Sequence, residues 1–194
     1  MSDESVLVIN TGSSSLKFGL YVERNGEEQI QIGGSADGIG GCRGHIVMKD
    51  SHGRELRSEN HLFASQSDAL ERARGWLEEF SPTMPVAIGH RVVHGGPHLL
   101  THQMITPELI QELQTYLHFA PLHIPIALQL IGSAERAYPN VPQFACFDTA
   151  FHKTMPEAAT RFALPQALFD EGIRRYGFHG LSYESIVHQL GEKL

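Results

Sequence analysis

The sequence has little cysteine, a single tryptophan, no long apolar run and no surplus of positive charge. Each shortage removes a class of function. Cys42 and Cys146 form neither a metal-binding nor a redox motif, so both are expected to be reduced thiols in a cytoplasmic protein. No apolar stretch approaches the ~20 residues that span a bilayer. The acidic start, MSDESVLVIN, lacks the basic and apolar regions of a secretory leader, so no membrane role is expected. Lys and Arg number 15 against 22 Asp and Glu, and this net charge of -7 argues against binding nucleic acid through its phosphates.

What remains is the composition of an ordinary globular chain. The 194 residues suit one fair-sized domain or two small ones. Residues 5–10 and 16–22 read as strands, followed by a third in EEQIQIGGSADGIG and two shorter ones around the turn at Asp50-Ser51-His52-Gly53. Leu70, Ala73, Trp76, Leu77 and Phe80 recur at helical spacing over 66–80, with Ser65 or Ser67 as the cap. PVAIGHRVVHGG reads as a buried strand ending in a glycine turn. Thr106, Pro107 and Glu108 signal a helix start. IPIALQLIGSAERAY, PQALFDEGI and SYESIVHQLGEKL read as further helices, and PQFACFDTAFH as a strand running into a loop. A meander followed by strand–helix alternation implies an α/β fold with a mixed sheet and helices on its faces. Polar loops after residues 9, 93 and 147 all leave strand ends, where ligands of such sheets bind.

Four stretches carry chemistry. In INTGSSSLKF, seven small or polar residues stand between two strands. Small residues let backbone N–H groups approach an anion, the hydroxyls of Thr11, Ser13, Ser14 and Ser15 add donors, and Lys17 adds charge. Asn10 offers an oxygen toward a metal-bound water. Together they suit a polyphosphate with Mg²⁺, and they equally make a polar hairpin tip. In GHRVVHGG, Arg91 interrupts an apolar strand, which calls for a partner anion. His90 and His94 invite a zinc reading, but i and i+4 on a strand stand about 13 Å apart, so structural roles are expected. In FDTAFHKTMP, Asp148 at a strand end is placed to orient a metal-bound water or a nucleophile, or to cap a turn. In RRYGFHG, His179 is either a structural histidine or a donor to a phosphoryl group in transfer.

With APLHIP, these motifs closely resemble the acetate kinase family, in that family's order and spacing, from about Val6 to the last residue. The resemblance implies a ribonuclease H-like domain of the acetate and sugar kinase, Hsp70 and actin superfamily. It implies transfer of a phosphoryl group from ATP to acetate with Mg²⁺, giving acetyl phosphate. By position, Asn10 matches the Mg²⁺-site asparagine, and Ser13, Ser15 and Lys17 match the phosphate loop. Arg91 matches the arginine that holds the substrate carboxylate. Val93, Leu122 and Phe178 match the apolar pocket for its methyl group. Asp148 matches the catalytic aspartate, and His179 the histidine at the transferring group. A carboxylate substrate is already ionised at neutral pH, so Asp148 is expected to organise Mg²⁺ and substrate rather than act as a base.

Two departures fall near the expected site. Leu181, Ser182 and Tyr183 stand where the family has Thr-Ser-His, and Ile124 where it has asparagine, so propionate or a longer acid is the alternative substrate expected beside acetate. Residues 1–194 are expected to form the N-terminal domain, without the second domain that supplies the adenosine site and the main dimer contact of the family's homodimer. Weak or absent activity is therefore expected for this chain alone. A second class of reading is a non-catalytic half that pairs with a separate C-terminal chain.

Overall fold

The computed structural model describes residues 4–81 and 84–191. Its centre is an eight-stranded mixed sheet. The strands are β1 (Ser5–Thr11), β2 (Ser15–Arg24), β3 (Glu27–Asp37), β4 (His45–Asp50), β5 (Glu55–Asn60), β6 (Ala87–Val92), β7 (Gln103–Met104) and β8 (Gln143–Phe147), in the spatial order β5-β4-β3-β2-β1-β6-β8-β7. The first five form an antiparallel meander. β6 pairs parallel with both β1 and β8, so these three strands end at the same edge of the sheet. This is the feature that builds the site.

The helices are α1 (Gln66–Phe80), α2 (Pro107–Thr115), α3 (Ile124–Ala137), α4 (Glu157–Thr160), α5 (Gln166–Asp170) and α6 (Gly180–Gly191). Ser65, rather than Ser67, caps α1 by accepting a hydrogen bond from the Asp68 N–H. Thr106 caps α2 in the same way, with Pro107 in the first turn. Two 3₁₀ segments, Leu117–Phe119 and Asp148–Thr154, flank the strand-end edge. α1 and α3 cover one face of the sheet, and Leu7, Ile9, Phe18, Leu70, Trp76, Ile88 and Leu130 fill the core between them. A second cluster, with Val92, Leu113, Tyr116, Ile124 and Phe147 among its members, lies beneath the strand ends.

The structure corrects several sequence expectations. Helices flank the mixed sheet as expected, though not both faces to the same extent. Ser5, Leu7 and Ile9 point into the core, while Val6 and Val8 remain 37% and 38% exposed on the other face. The supposed seven-residue serine loop is a three-residue turn, because pairing continues through Thr11 with Leu16 and Asn10 with Lys17. α5 is shorter than the sequence suggests. α6 begins two residues before Ser182, and the end of its expected span, 192–194, lies outside the described residues. β7 and α4 were not foreseen.

Candidate active site

Alternation along three neighbouring strands decides which side chains meet. On β1 and β6 the core takes Ile9, Ile88, His90 and Val92, which turns Asn10 and Arg91 to the opposite face. On β8 it takes Ala145 and Phe147, and the chain then enters the 3₁₀ segment at Asp148. Asn10, Arg91 and Asp148 therefore converge from positions far apart in the sequence.

Their contacts are specific. Arg91 donates from Nη2 to Asp148 Oδ2 at 2.6 Å, and from Nε to Oδ2 at 3.1 Å and Oδ1 at 3.3 Å. Its Nη1 donates to Asn10 Oδ1 at 3.1 Å. The Asp148 side chain is only 2% exposed and that of Arg91 24%. Burying the carboxylate is tolerable because a guanidinium fork meets both its oxygens. The sequence argument that Arg91 needs a partner anion is met within the chain by Asp148. Asn10 Oδ1, assigned above to a metal-bound water, here accepts from Arg91.

Arg91 and Asp148 floor a cleft of about 520 Å³ lined also by Thr11, Gly12, Val93, Phe119, Ala120, Pro121, Leu122, His123, Phe178 and His179. One wall is apolar and open to water, with Leu122 at 71% exposure. His179 stands on the rim with a left-handed backbone, φ 56°, a conformation that costs a non-glycine residue about 1 kcal/mol or more. Its carbonyl accepts the N–H groups of Ser182 and Tyr183 at 3.0 and 3.2 Å, which ties it to the first turn of α6.

Of the ten residues assigned from sequence, Arg91, Val93, Leu122, Asp148, Phe178 and His179 line this cleft, and Asn10 joins through Arg91. Ser13, Ser15 and Lys17 do not line it. They lie in the adjoining hairpin, and Thr11 and Gly12 are the hairpin residues that reach the cleft. Gln66, at the start of α1, steadies this hairpin by donating from Nε2 to the carbonyls of Ser13 at 2.9 Å and Gly12 at 3.3 Å. Ile124 is fully buried in the second core cluster, and Leu181, Ser182 and Tyr183 are in the first turn of α6, so none of the departures shapes the cleft wall. His123, beside Leu122 in APLHIP, does line it and was given no role from sequence, although the quoted motif contains it.

The two histidines of GHRVVHGG are committed elsewhere. His90 shares a 2.7 Å hydrogen bond with Gln143 Oε1, so its Nε2 carries the proton. Burial, partly offset by that bond, pulls its pKa down to about 4. His94 Nδ1 accepts the Gly96 N–H at 2.8 Å, and its ring packs on Phe119, Tyr176 and Phe178. Burial, helped by His118, lowers its pKa to about 4 as well. Both are neutral structural imidazoles near pH 7, not a zinc pair.

The sequence matches the Acetokinase family over residues 5–194. It is 44% identical to the acetate kinase of Rhodopseudomonas palustris over 98% of this chain and 48% of that protein. A solved propionate kinase from Francisella tularensis superposes with a TM-score of 0.86 at 33% identity, covering 97% of this chain and 48% of that one. Porphyromonas gingivalis acetate kinase superposes with a TM-score of 0.84 at 32% identity, covering 97% and 49%. The chain spans about half the length of the curated relatives it matches. Its mixed-sheet α/β fold is the one implied above, that of the acetate and sugar kinase, Hsp70 and actin superfamily. With the motifs, the strand-end cleft and these likenesses in agreement, the chain belongs to the acetokinase family.

Proposed function

We propose that residues 1–194 form the acid-binding half of an ATP-dependent carboxylate kinase that phosphorylates acetate or another short-chain acid. The observation that carries this is the guanidinium of Arg91 at the floor of a cleft with one apolar wall. A guanidinium has five N–H donors. Asp148 and Asn10 engage three of them, one each on Nε, Nη2 and Nη1, and one N–H on each of Nη1 and Nη2 remains for a substrate carboxylate. Val93, Leu122 and Phe178 take up the alkyl part. The open wall suits propionate or butyrate as well as acetate.

The reaction forms a bond between a carboxylate oxygen and the terminal phosphorus of ATP and breaks the bond from that phosphorus to the bridging oxygen of ADP. The acid is ionised at neutral pH, so no base need remove a proton. The difficulty is bringing one anion to another. Arg91 and His179 offset that repulsion at the acid and the phosphoryl group. Thr11 and Gly12 bring the hairpin to the cleft, where it and Lys17 would meet the phosphates. Asp148 fixes the Arg91 fork and would anchor the metal. Asp148 and Asn10 supply hard oxygen donors of the kind a divalent cation takes, and in this structure those oxygens accept from Arg91. They would hold Mg²⁺, which supplies charge neutralisation on the phosphates when bound.

A second element of the proposal is dependence on the remainder of the family fold. The apolar row Tyr183, Ile186, Val187 and Leu190 of α6 is at least half exposed, as a face awaiting a covering surface would be. We place the catalytic complement and the dimer contact of the full-length enzyme in that remainder. No described helix is long and apolar enough to cross a membrane, and a cytoplasmic setting suits the two free thiols. The test is ATP- and Mg²⁺-dependent acyl phosphate formation, trapped with hydroxylamine, from acetate, propionate and butyrate. Low turnover alone, raised by adding the complementary half and lost in Arg91→Ala, is expected. Turnover unchanged in Arg91→Ala refutes the proposal. Asp148→Asn is expected to lower activity and alter its Mg²⁺ dependence; a loss with unaltered metal dependence removes the metal role.

A further inference from the structure

The segment carrying His179 is held from behind by a side chain that lies outside the cleft. We propose that His152 is the positioning residue for His179, clamping residues 177–178 so that His179 keeps the left-handed backbone that presents it to the cleft. This rests on the kinase reading only in the role given to His179.

The clamp has two parts. His152 Nε2 lies 3.0 Å from the Phe178 carbonyl oxygen. A carbonyl only accepts, so Nε2 carries the proton and donates. The imidazole is also seated directly on Gly177, where a Cβ would stand 2.2 Å from His152 Cγ and 2.4 Å from Cδ2. Phe151 and Tyr183 meet the same ring edge-on, at 5.2 and 5.8 Å between centroids. The half-buried ring is thus flanked by its own 3₁₀ segment, the glycine and the first turn of α6.

The consequence falls on the next residue. Phe178 is fixed on the upstream side through its carbonyl, and His179 on the downstream side through the Ser182 and Tyr183 N–H groups. Gly180 lies against the Asp148 carbonyl so closely that a Cβ would stand 1.9 Å from it. A positive φ at histidine persists only where the surroundings over-determine it, and these contacts supply that determination at φ 56°. Because His152 is in the same 3₁₀ segment as Asp148, the clamp also ties together two site residues separated in sequence.

The test uses the whole 194-residue chain, isotope-labelled, with acetate and inorganic phosphate as probes. His152→Phe keeps a ring and removes the donor; His152→Gln keeps a donor and removes the ring. Gly177→Ala pushes the ring from its seat. The one-bond Hα–Cα coupling of residue 179, which is lowest in the left-handed region, reports its backbone without any ligand. Wild type is expected to show the left-handed value and a saturable response of the His179 ring to phosphate. In His152→Phe and Gly177→Ala the coupling is expected to move toward an average, and the phosphate affinity read at His179 to fall about tenfold. The acetate response at Arg91 should persist. His152→Gln is expected to restore most of the phosphate affinity, and the Phe/Ala double variant to be no worse than either single change. Wild-type coupling and affinity in His152→Phe overturn the proposal. So does an equal loss of the Arg91 response, which marks a general folding role. If wild type answers neither probe but the coupling still collapses in His152→Phe, the clamp stands and the kinase reading fails.

Discussion

Removing Arg91 tests the site and the fold together. The Asp148 side chain is 2% exposed and meets the guanidinium through three contacts of 2.6 to 3.3 Å. Breaking a buried ion pair from one side costs about 3–5 kcal/mol, because a carboxylate is left without its cation. Arg91 is itself 24% exposed, so water can enter the vacated space and the lower end, about 3 kcal/mol, is expected for Arg91→Ala. For a chain of this size that is a Tm lower by roughly 6–12 °C. Asp148→Asn keeps one acceptor and leaves a cation that solvent can reach, at about 1–2 kcal/mol. The double variant buries no lone charge. It is expected to lose about 2 kcal/mol, well below the sum of the single losses. Urea unfolding at pH 7 measures all three, with the buried Trp76 as a fluorescent reporter beside circular dichroism. Simple additivity, or a loss under 1 kcal/mol for Arg91→Ala, refutes the pairing argument.

Other outcomes follow from the same geometry. His90 and His94 have folded pKa values of about 4, below the ordinary 6.5. The unfolded chain therefore binds more protons between those values, so stability is full above pH 6.5 and falls as the pH drops toward 4. His90→Gln, which keeps a donor for Gln143, is expected to flatten that acid limb in urea melts recorded from pH 4 to 7. Gln66→Leu strips donors from the Ser13 and Gly12 carbonyls and is expected to cost about 1–2 kcal/mol in the same melts, with weaker phosphate binding. Leu122→Ala, at a site 71% exposed, should change stability by under ~0.5 kcal/mol in thermal melts yet weaken butyrate binding several-fold, read by titration.

Local signals in the sequence were reliable where local chemistry decides the outcome. α1 starts behind Ser65 and α2 behind Thr106, because a hydroxyl there satisfies a free N–H. The convergence of Asn10, Arg91 and Asp148 was readable from three strand ends, and parallel pairing of β1, β6 and β8 delivers it. β7 was not readable, since two residues at a sheet edge owe their conformation to pairing with β8. The hairpin misled for a similar reason: ladder pairing extends through polar Asn10 and Lys17, which shortens the turn and sets Lys17 beside Asn10 in the ladder, outside the lining of the cleft. Ile124, a departure from the family expected near the site, has a helical spacing with Ala127, Ile131 and Ala134 that marks it as part of a buried face. The Arg91–Asp148 pairing needed the fold, because no sequence pattern says which anion a strand arginine will meet.

The most direct measurement is an acetate titration of the labelled chain, following the Arg91 Nε–Hε signal in wild type and in Leu122→Ala. Saturable shifts at Arg91, extending to the apolar wall and stronger for propionate and butyrate in wild type than in the variant, are expected. An Arg91 signal indifferent to all three acids, in a chain that remains folded, contradicts the assignment of this cleft as the acid site.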